Sequence, residues 1–258
     1  MDKTVLPKYL TIKQESKNTT LEMYIDGEIV TDEYEDSDTS AAGFRDALKS
    51  FGDVKNINLH INSPGGSVFE GIAIYNMLKQ NSAHINVYVD GLAASIASVI
   101  AMSGDAIFMP SNSMMMIHNP WTMAIGNANQ LRKQADNLDQ ITKSSVQTYL
   151  AKAGDKLDEQ TLKQLMDDET WLTAQEAVDY GLADEVMEPN KAAASISKRF
   201  VERYRHVPEQ LIKQTEQKAD EKKPENKLTE EKLNEIHEKA LANAKALNIS
   251  IKKLKEDF

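Results

Sequence analysis

Strand-length apolar blocks alternate along this chain with helical patterns, and small residues crowd the junctions between them. Thr20–Tyr24 and Ile57–Ile61 alternate or run apolar, Ile85–Val89 is a β-branched block, and Ala106–Met109 and Met114–His118 flank a Pro110-Ser111-Asn112 turn. Between them lie amphipathic runs. Ser67-Val68-Phe69-Glu70 has the form of a capping box and opens a run through Ile72, Tyr75, Met77 and Leu78. A second box, Thr173-Ala174-Gln175-Glu176, opens a short helix stopped by Gly181. This rhythm predicts an α/β fold of parallel strands joined by helical crossovers, because a parallel pair needs a long connection that packs back on the sheet. No repeat recurs at a solenoid period.

Charge divides the chain. Residues 1–190 carry 14 basic and 28 acidic side chains, whereas residues 191–258 carry 16 and 12, within an overall net charge of -10. An acidic body disfavours nucleic acid and anionic membranes as partners. Two domains are expected: a body over 1–190, and over 191–258 a linker and charged helical tail. Lys213–Lys227 has almost nothing to bury, and Thr229-Glu230-Glu231 looks like a helix start. Leu233, Ile236, Ala240, Ala244, Leu247, Ile251 and Leu254 then form one apolar stripe. The longest apolar stretch, Leu92–Met102, is shorter than the roughly 20 residues that span a bilayer. The amino terminus has no apolar signal core, so the expected location is the compartment of synthesis.

The chain has no cysteine, which excludes thiol nucleophiles, disulfides and thiolate metal sites. Covalent chemistry would fall to Ser, Thr, Lys or a carboxylate. Three segments sit where α/β folds place sites, at carboxyl ends of strands. Asn62-Ser63-Pro64-Gly65-Gly66-Ser67 reads as a turn between strand and helix that could aim bare N–H groups at an anion. Gly91-Leu92-Ala93-Ala94-Ser95-Ile96 places Ser95 at a tight corner with the Ile96 N–H at a helix start; this is not the Gly-x-Ser-x-Gly elbow. His118 follows the Met114–Ile117 block. The Met114-Met115-Met116 run reads as packing, since a strand points alternate side chains to opposite faces.

Each segment alone has an ordinary structural reading: turn chemistry, a small-residue helix, a structural histidine. Together they meet the needs of acyl transfer, with Ser95 as nucleophile, His118 as base and the N–H groups of Gly66 and Ile96 as oxyanion donors. An acid to orient the imidazole would come from Asp167-Asp168-Glu169, just before Trp171-Leu172. No metal or cofactor is needed.

INSPGGSVFEGIAIYNML, GLAASIASVIAMSGDAIFMPSNSMMMIHNP and WLTAQEAVDYGLADEV, in that order, resemble segments of the proteolytic subunit of the Clp protease, a serine peptidase family. The resemblance covers roughly Glu22 to Val186. It implies the crotonase-like spiral fold of parallel βαβ units, ring-shaped homo-oligomers, Ser95 as nucleophile, His118 as base, and Gly66 and Ile96 as oxyanion donors. The family's catalytic aspartate falls in register on Glu169, with Asp168 one place earlier, so both stand as candidates.

The opening region and the tail after Asn190 resemble instead the Clp-like head maturation proteases of tailed phages and prophages. That branch implies cleavage of capsid or scaffold protein, in bacterial host cytoplasm or inside proheads. The net +4 of the tail beside a body of -14 suggests separately that residues 191–258 are a docking or scaffold-like appendage, itself cleaved off in one version. Three alternatives stand beside it: a housekeeping Clp subunit fed by an ATPase partner, a crotonase-type acyl-CoA enzyme, and a catalytically idle capsid-assembly component, which the glutamate in place of aspartate favours.

Overall fold

The structure is a computed structural model, and it describes residues 10–15, 18–34, 37–189 and 204–209. The chain divides into two units, Met1–Glu216 and Gln217–Phe258; every described residue lies in the first. The expected linker over Lys213–Lys227 and the striped helix after Thr229 lie outside the described residues.

Among the described residues one eight-stranded sheet runs β1-β2-β3-β4-β5-β8, with β6 on β4 and β7 on β6. β1 is Leu10–Glu15, β2 Asn18–Ile29, β3 Asn56–Gly66, β4 His84–Ala94, β5 Ala106–Pro110, β6 Met114–Ile117, β7 Thr170–Thr173 and β8 Glu185–Met187. Three parallel pairs, β2 with β3, β3 with β4 and β4 with β5, are joined by α1 (Ala41–Ser50), α2 (Val68–Lys79) and α3 (Ile96–Ala101). These are the expected βαβ units. β1 and β7 pair antiparallel with β2 and β6.

The alternation in sequence is the alternation in burial. Leu21, Met23 and Ile25 of β2, Ile57, Leu59 and Ile61 of β3, and Ile85, Val87 and Val89 of β4 all face the core. Phe44 of α1 and Ile74 and Leu78 of α2 cover them. The opposite face is only half-buried, and there Tyr24, His60, Tyr88 and Phe108 stack in a ladder with ring centroids 4.7, 5.1 and 5.1 Å apart. A parallel sheet covered by helices on both faces would show continuous apolar runs instead.

Two local expectations are corrected. Ser67 is the N-cap of α2, but its side chain makes no cap hydrogen bond. Glu70 does not reach back; its Oε2 accepts from the Ala41 N–H at 2.8 Å, tying α2 to the start of α1. The Thr173–Glu176 box does form and opens α6 (Ala174–Asp179). The Pro64-Gly65-Gly66 segment, expected as a turn, is the extended end of β3, paired with Glu28 and Ile29 of β2.

Two further helices follow β6: α4, Ala128–Ala153, which opens on an Asn127–Gln130 capping box, and α5, Glu159–Asp167. α4 matters to the site because its buried Tyr149 reaches α3.

β4 changes partners along its length. It pairs with β5 through Asn86–Tyr88 and with β6 through Leu92–Ala94, and its register against β3 slips between Ile61 and Ser63. An irregularity of this kind bends a strand and re-aims the residues beyond it. The residue beyond β4 is Ser95.

Candidate active site

Ser95 stands between the last residue of β4 and the first of α3 with φ 56 and ψ −126. A non-glycine residue at positive φ is uncommon and costs on the order of 1–3 kcal/mol. Its neighbours hold it there. The Ser95 N–H donates to the Met116 carbonyl at 2.9 Å, fastening the corner to β6. Ser98 donates its hydroxyl to the Ser95 carbonyl at 2.6 Å and lies 2.7 Å from the Tyr149 hydroxyl. With the Ser98 proton committed to Ser95, Tyr149 is the donor in that second bond.

His118 follows β6, which lies beside the end of β4 with Leu92 opposite Met114 and Ala94 opposite Met116. That register carries the imidazole past Ser95, and His118 Nε2 lies 2.7 Å from Ser95 Oγ. Burial pushes the His118 pKa down to about 4. At neutral pH the ring is therefore uncharged, and with Nε2 as the acceptor it can take the serine proton.

The glycine segment presses against this corner. Gly65 has φ 92, and a side-chain carbon there would lie 2.6 Å from the Ala94 carbonyl oxygen, 2.8 Å from Ser95 Cβ and 3.3 Å from the Ile96 nitrogen. Gly66 has φ 147 and would meet the Ile29 carbonyl oxygen at 2.1 Å. Only glycine fits either place. Buried Ser63 secures the segment, donating to the Gly27 carbonyl at 2.6 Å and accepting the Gly65 N–H at 3.1 Å. Gly66, Ser95 and His118 line one cleft of about 320 Å³.

The two candidate acids separate. Asp168 is exposed at the end of α5 and accepts from Gln164 Nε2 at 2.8 Å, away from the imidazole. Glu169 is 8 % exposed, sits at φ 52, and lines a second pocket together with His118. It does not hydrogen-bond the imidazole. Its Oε1 accepts instead from the backbone N–H of Arg205 and, at 3.2 Å, of His206. Asp167 holds the neighbouring loop, accepting from Asn119 Nδ2 at 2.6 Å.

Tyr204 is the site residue that no sequence motif marks. Its ring packs edge-on against His118 and Trp171, with centroids 5.6 and 5.8 Å apart, and its hydroxyl donates to the Pro64 carbonyl. It lies beyond the 190/191 division drawn from charge, in no motif, and shares the charged run KRFVERYRHVPE with a second aromatic, Phe200.

A serine hydroxyl on a strained corner between strand and helix, facing a buried neutral imidazole, is the working arrangement of a serine hydrolase built on a parallel α/β sheet. Known proteins narrow the class. The family model described as Clp protease matches residues 46–190. The ATP-dependent Clp protease proteolytic subunit of Ligilactobacillus salivarius is 38% identical over 139 residues, 53% of this chain and 70% of that protein. The corresponding subunit 1 of Salinibacter ruber is 34% identical over 143 residues, 54% of this chain and 60% of that one. The subunit of Pleurastrum terricola is 34% identical over 140 residues, covering 53% and 70%. This chain belongs to the Clp protease family, a family of serine peptidases.

Proposed function

We propose that the chain is a serine endopeptidase in which Ser95 and His118 are the reacting pair, a reading carried by the 2.7 Å contact between Ser95 Oγ and the neutral His118 Nε2. Ser95 Oγ attacks the scissile carbonyl carbon and its proton passes to Nε2. The oxyanion is held by the N–H groups of Gly66 and Ile96, which the crowding of the glycine segment on the Ser95 corner supports. Collapse breaks the C–N bond, and the amine leaves with the proton from His118. Water then repeats the sequence on the acyl-enzyme. Glu169 is the acid that orients the imidazole in the working state, supported by its burial and the pocket it shares with His118.

Within the family we assign the chain to the head maturation branch, with capsid or scaffold protein as substrate and a homo-oligomeric ring as the working form. The supporting observations are the opening region, with Met23–Glu28 and the acidic Asp32–Asp38 stretch, and the charged tail of residues 191–258. The second reading, a subunit that degrades protein with an ATPase partner, is favoured by the relatives, which are named as subunits of ATP-dependent proteases. Coexpression with the major capsid and scaffold proteins separates them. Cleavage without ATP that Ser95→Ala abolishes supports the first, and hydrolysis of folded protein only with ATP and a Clp ATPase supports the second. Cleavage that survives Ser95→Ala overturns both.

A further inference from the structure

Tyr204, Arg205 and His206 lie far from the catalytic candidates in sequence, yet all three engage them. We infer that this segment is an autoinhibitory strap: the Tyr204 ring walls and narrows the cleft beside His118 while the next two backbone N–H groups hold Glu169 off the imidazole. The inference rests on the reading of Ser95 and His118 as the reacting pair.

The ring occupies a built apolar cup. Leu92, Ala94 and Met116 are buried around it, with Met114, Trp171 and Val207 packed against them. Tyr204 itself is 7 % exposed and lines the same cleft as Gly66, Ser95 and His118. Its hydroxyl bonds the carbonyl of Pro64, immediately before the two glycines of the proposed oxyanion segment. The ring is one wall of that cleft, standing against His118, and it narrows the room for a peptide there.

The hold on Glu169 is a second, independent obstacle. A carboxylate that accepts two backbone N–H groups has strong reason to stay where it is, since bonds to a charged acceptor are roughly twice as strong as neutral ones. His118, without an acid partner, is left with its pKa depressed by burial alone. Such a ring accepts a proton poorly in the transition state, because nothing stabilises the imidazolium. Release of the strap would therefore widen the cleft and free the acid in one motion. Both obstacles come from one segment.

The test uses the full chain and a fluorophosphonate that labels an activated serine, which needs no knowledge of the natural substrate. If the strap is closed in about nine of ten molecules, Tyr204→Ala labels about tenfold faster than wild type. Tyr204→Phe, which keeps the ring and loses the bond to Pro64, falls between. Labelling of Tyr204→Ala at or below the wild-type rate overturns the strap. A freed Glu169 stabilises the imidazolium, so the pH midpoint of labelling rises in Tyr204→Ala; an unchanged midpoint overturns the acid-holding half. Hydrogen exchange on wild type judges the closed state without any variant. The Arg205 and His206 amides are expected to exchange at least about tenfold slower than unstructured amides, and unprotected amides overturn the strap. Labelling that persists in Ser95→Ala removes the nucleophile reading instead, while the exchange result still decides the strap.

Discussion

Ser95 Oγ and His118 Nε2 lie 2.7 Å apart across 23 residues of sequence because β6 is laid parallel against the last three residues of β4. If the pair acts as a unit, losing either member costs about as much as losing both. Ser95→Ala and His118→Ala are each expected to lower peptide hydrolysis on the order of 10⁴-fold or more, and the double variant little further. Multiplying losses in the double variant would mean that the two residues act separately.

The burial of His118 sets a pH dependence with a definite sign. Its folded-state pKa of about 4 lies below the unfolded value, so as pH falls the unfolded chain takes up the proton first. Stability is then lost between about pH 6.5 and pH 4, by roughly 3 kcal/mol in all. The proton-accepting form persists over the same range. Serine labelling of the wild type is expected to stay flat from pH 8 to about 5 and to fall with a midpoint near 4. Denaturant titrations across this range should show the acid-side loss shrink in His118→Gln, and a labelling midpoint near 6.5 would contradict the assignment.

The fold was legible where side-chain period and burial coincide. Ile57, Leu59 and Ile61 alternate with polar residues in the sequence and alternate in burial in the sheet. The corner at Ser95 was legible for a related reason, since small residues mark a place where backbones approach closely. Long-range choices were not. Glu70 satisfies every local requirement of a capping box, yet it serves the Ala41 N–H of a different helix, because tertiary placement outranks the local bond. Tyr204 was not legible as a site residue because its partners, Pro64, His118 and Trp171, come from three separate segments and no spacing in the chain encodes their meeting.

Tyr149 reaches the Ser95 corner through one atom, its hydroxyl bonded to Ser98 Oγ, whose own proton fixes the Ser95 carbonyl. Tyr149→Phe removes that donor from a buried site while Ser98 keeps its bond to Ser95. The expected cost is about 1 kcal/mol of stability, with a small loss of serine labelling as the corner loosens. Chemical denaturation alongside labelling checks both, and an unchanged midpoint would show the bond to be idle.

Gly65→Ala tests the close approach of the glycine segment. The added carbon would meet the Ala94 carbonyl oxygen at 2.6 Å and force alanine to φ 92. Backbone strain alone is on the order of 1–3 kcal/mol, and the neighbour that must move belongs to the residue before Ser95. Serine labelling is therefore expected to fall much further than in Gly52→Ala, where φ is also positive but no atom lies within 4 Å. Comparable labelling in the two variants would mean that the segment does not position the site.

On the half-buried face of the sheet, His60 places Nδ1 2.9 Å from Asp90 and Nε2 3.2 Å from Glu22, between the rings of Tyr24 and Tyr88. Burial opposes the charged imidazole, but the two carboxylates outweigh it and the His60 pKa is raised. Burial first, and then Asp90, raise the Asp26 pKa nearby, while His60 lowers it. A raised folded-state pKa contributes stability that is fully present below the unfolded value of 6.5 and is lost as pH rises through the folded value. His60→Gln keeps hydrogen-bonding capacity and discards the charge. Its melting temperature is expected to lie roughly 2–4 °C below wild type at pH 6, equivalent to about 1 kcal/mol, with the gap closing toward pH 9. Thermal melts of both proteins over that range decide the matter, because a gap independent of pH would assign the loss to ring stacking and not to the imidazolium.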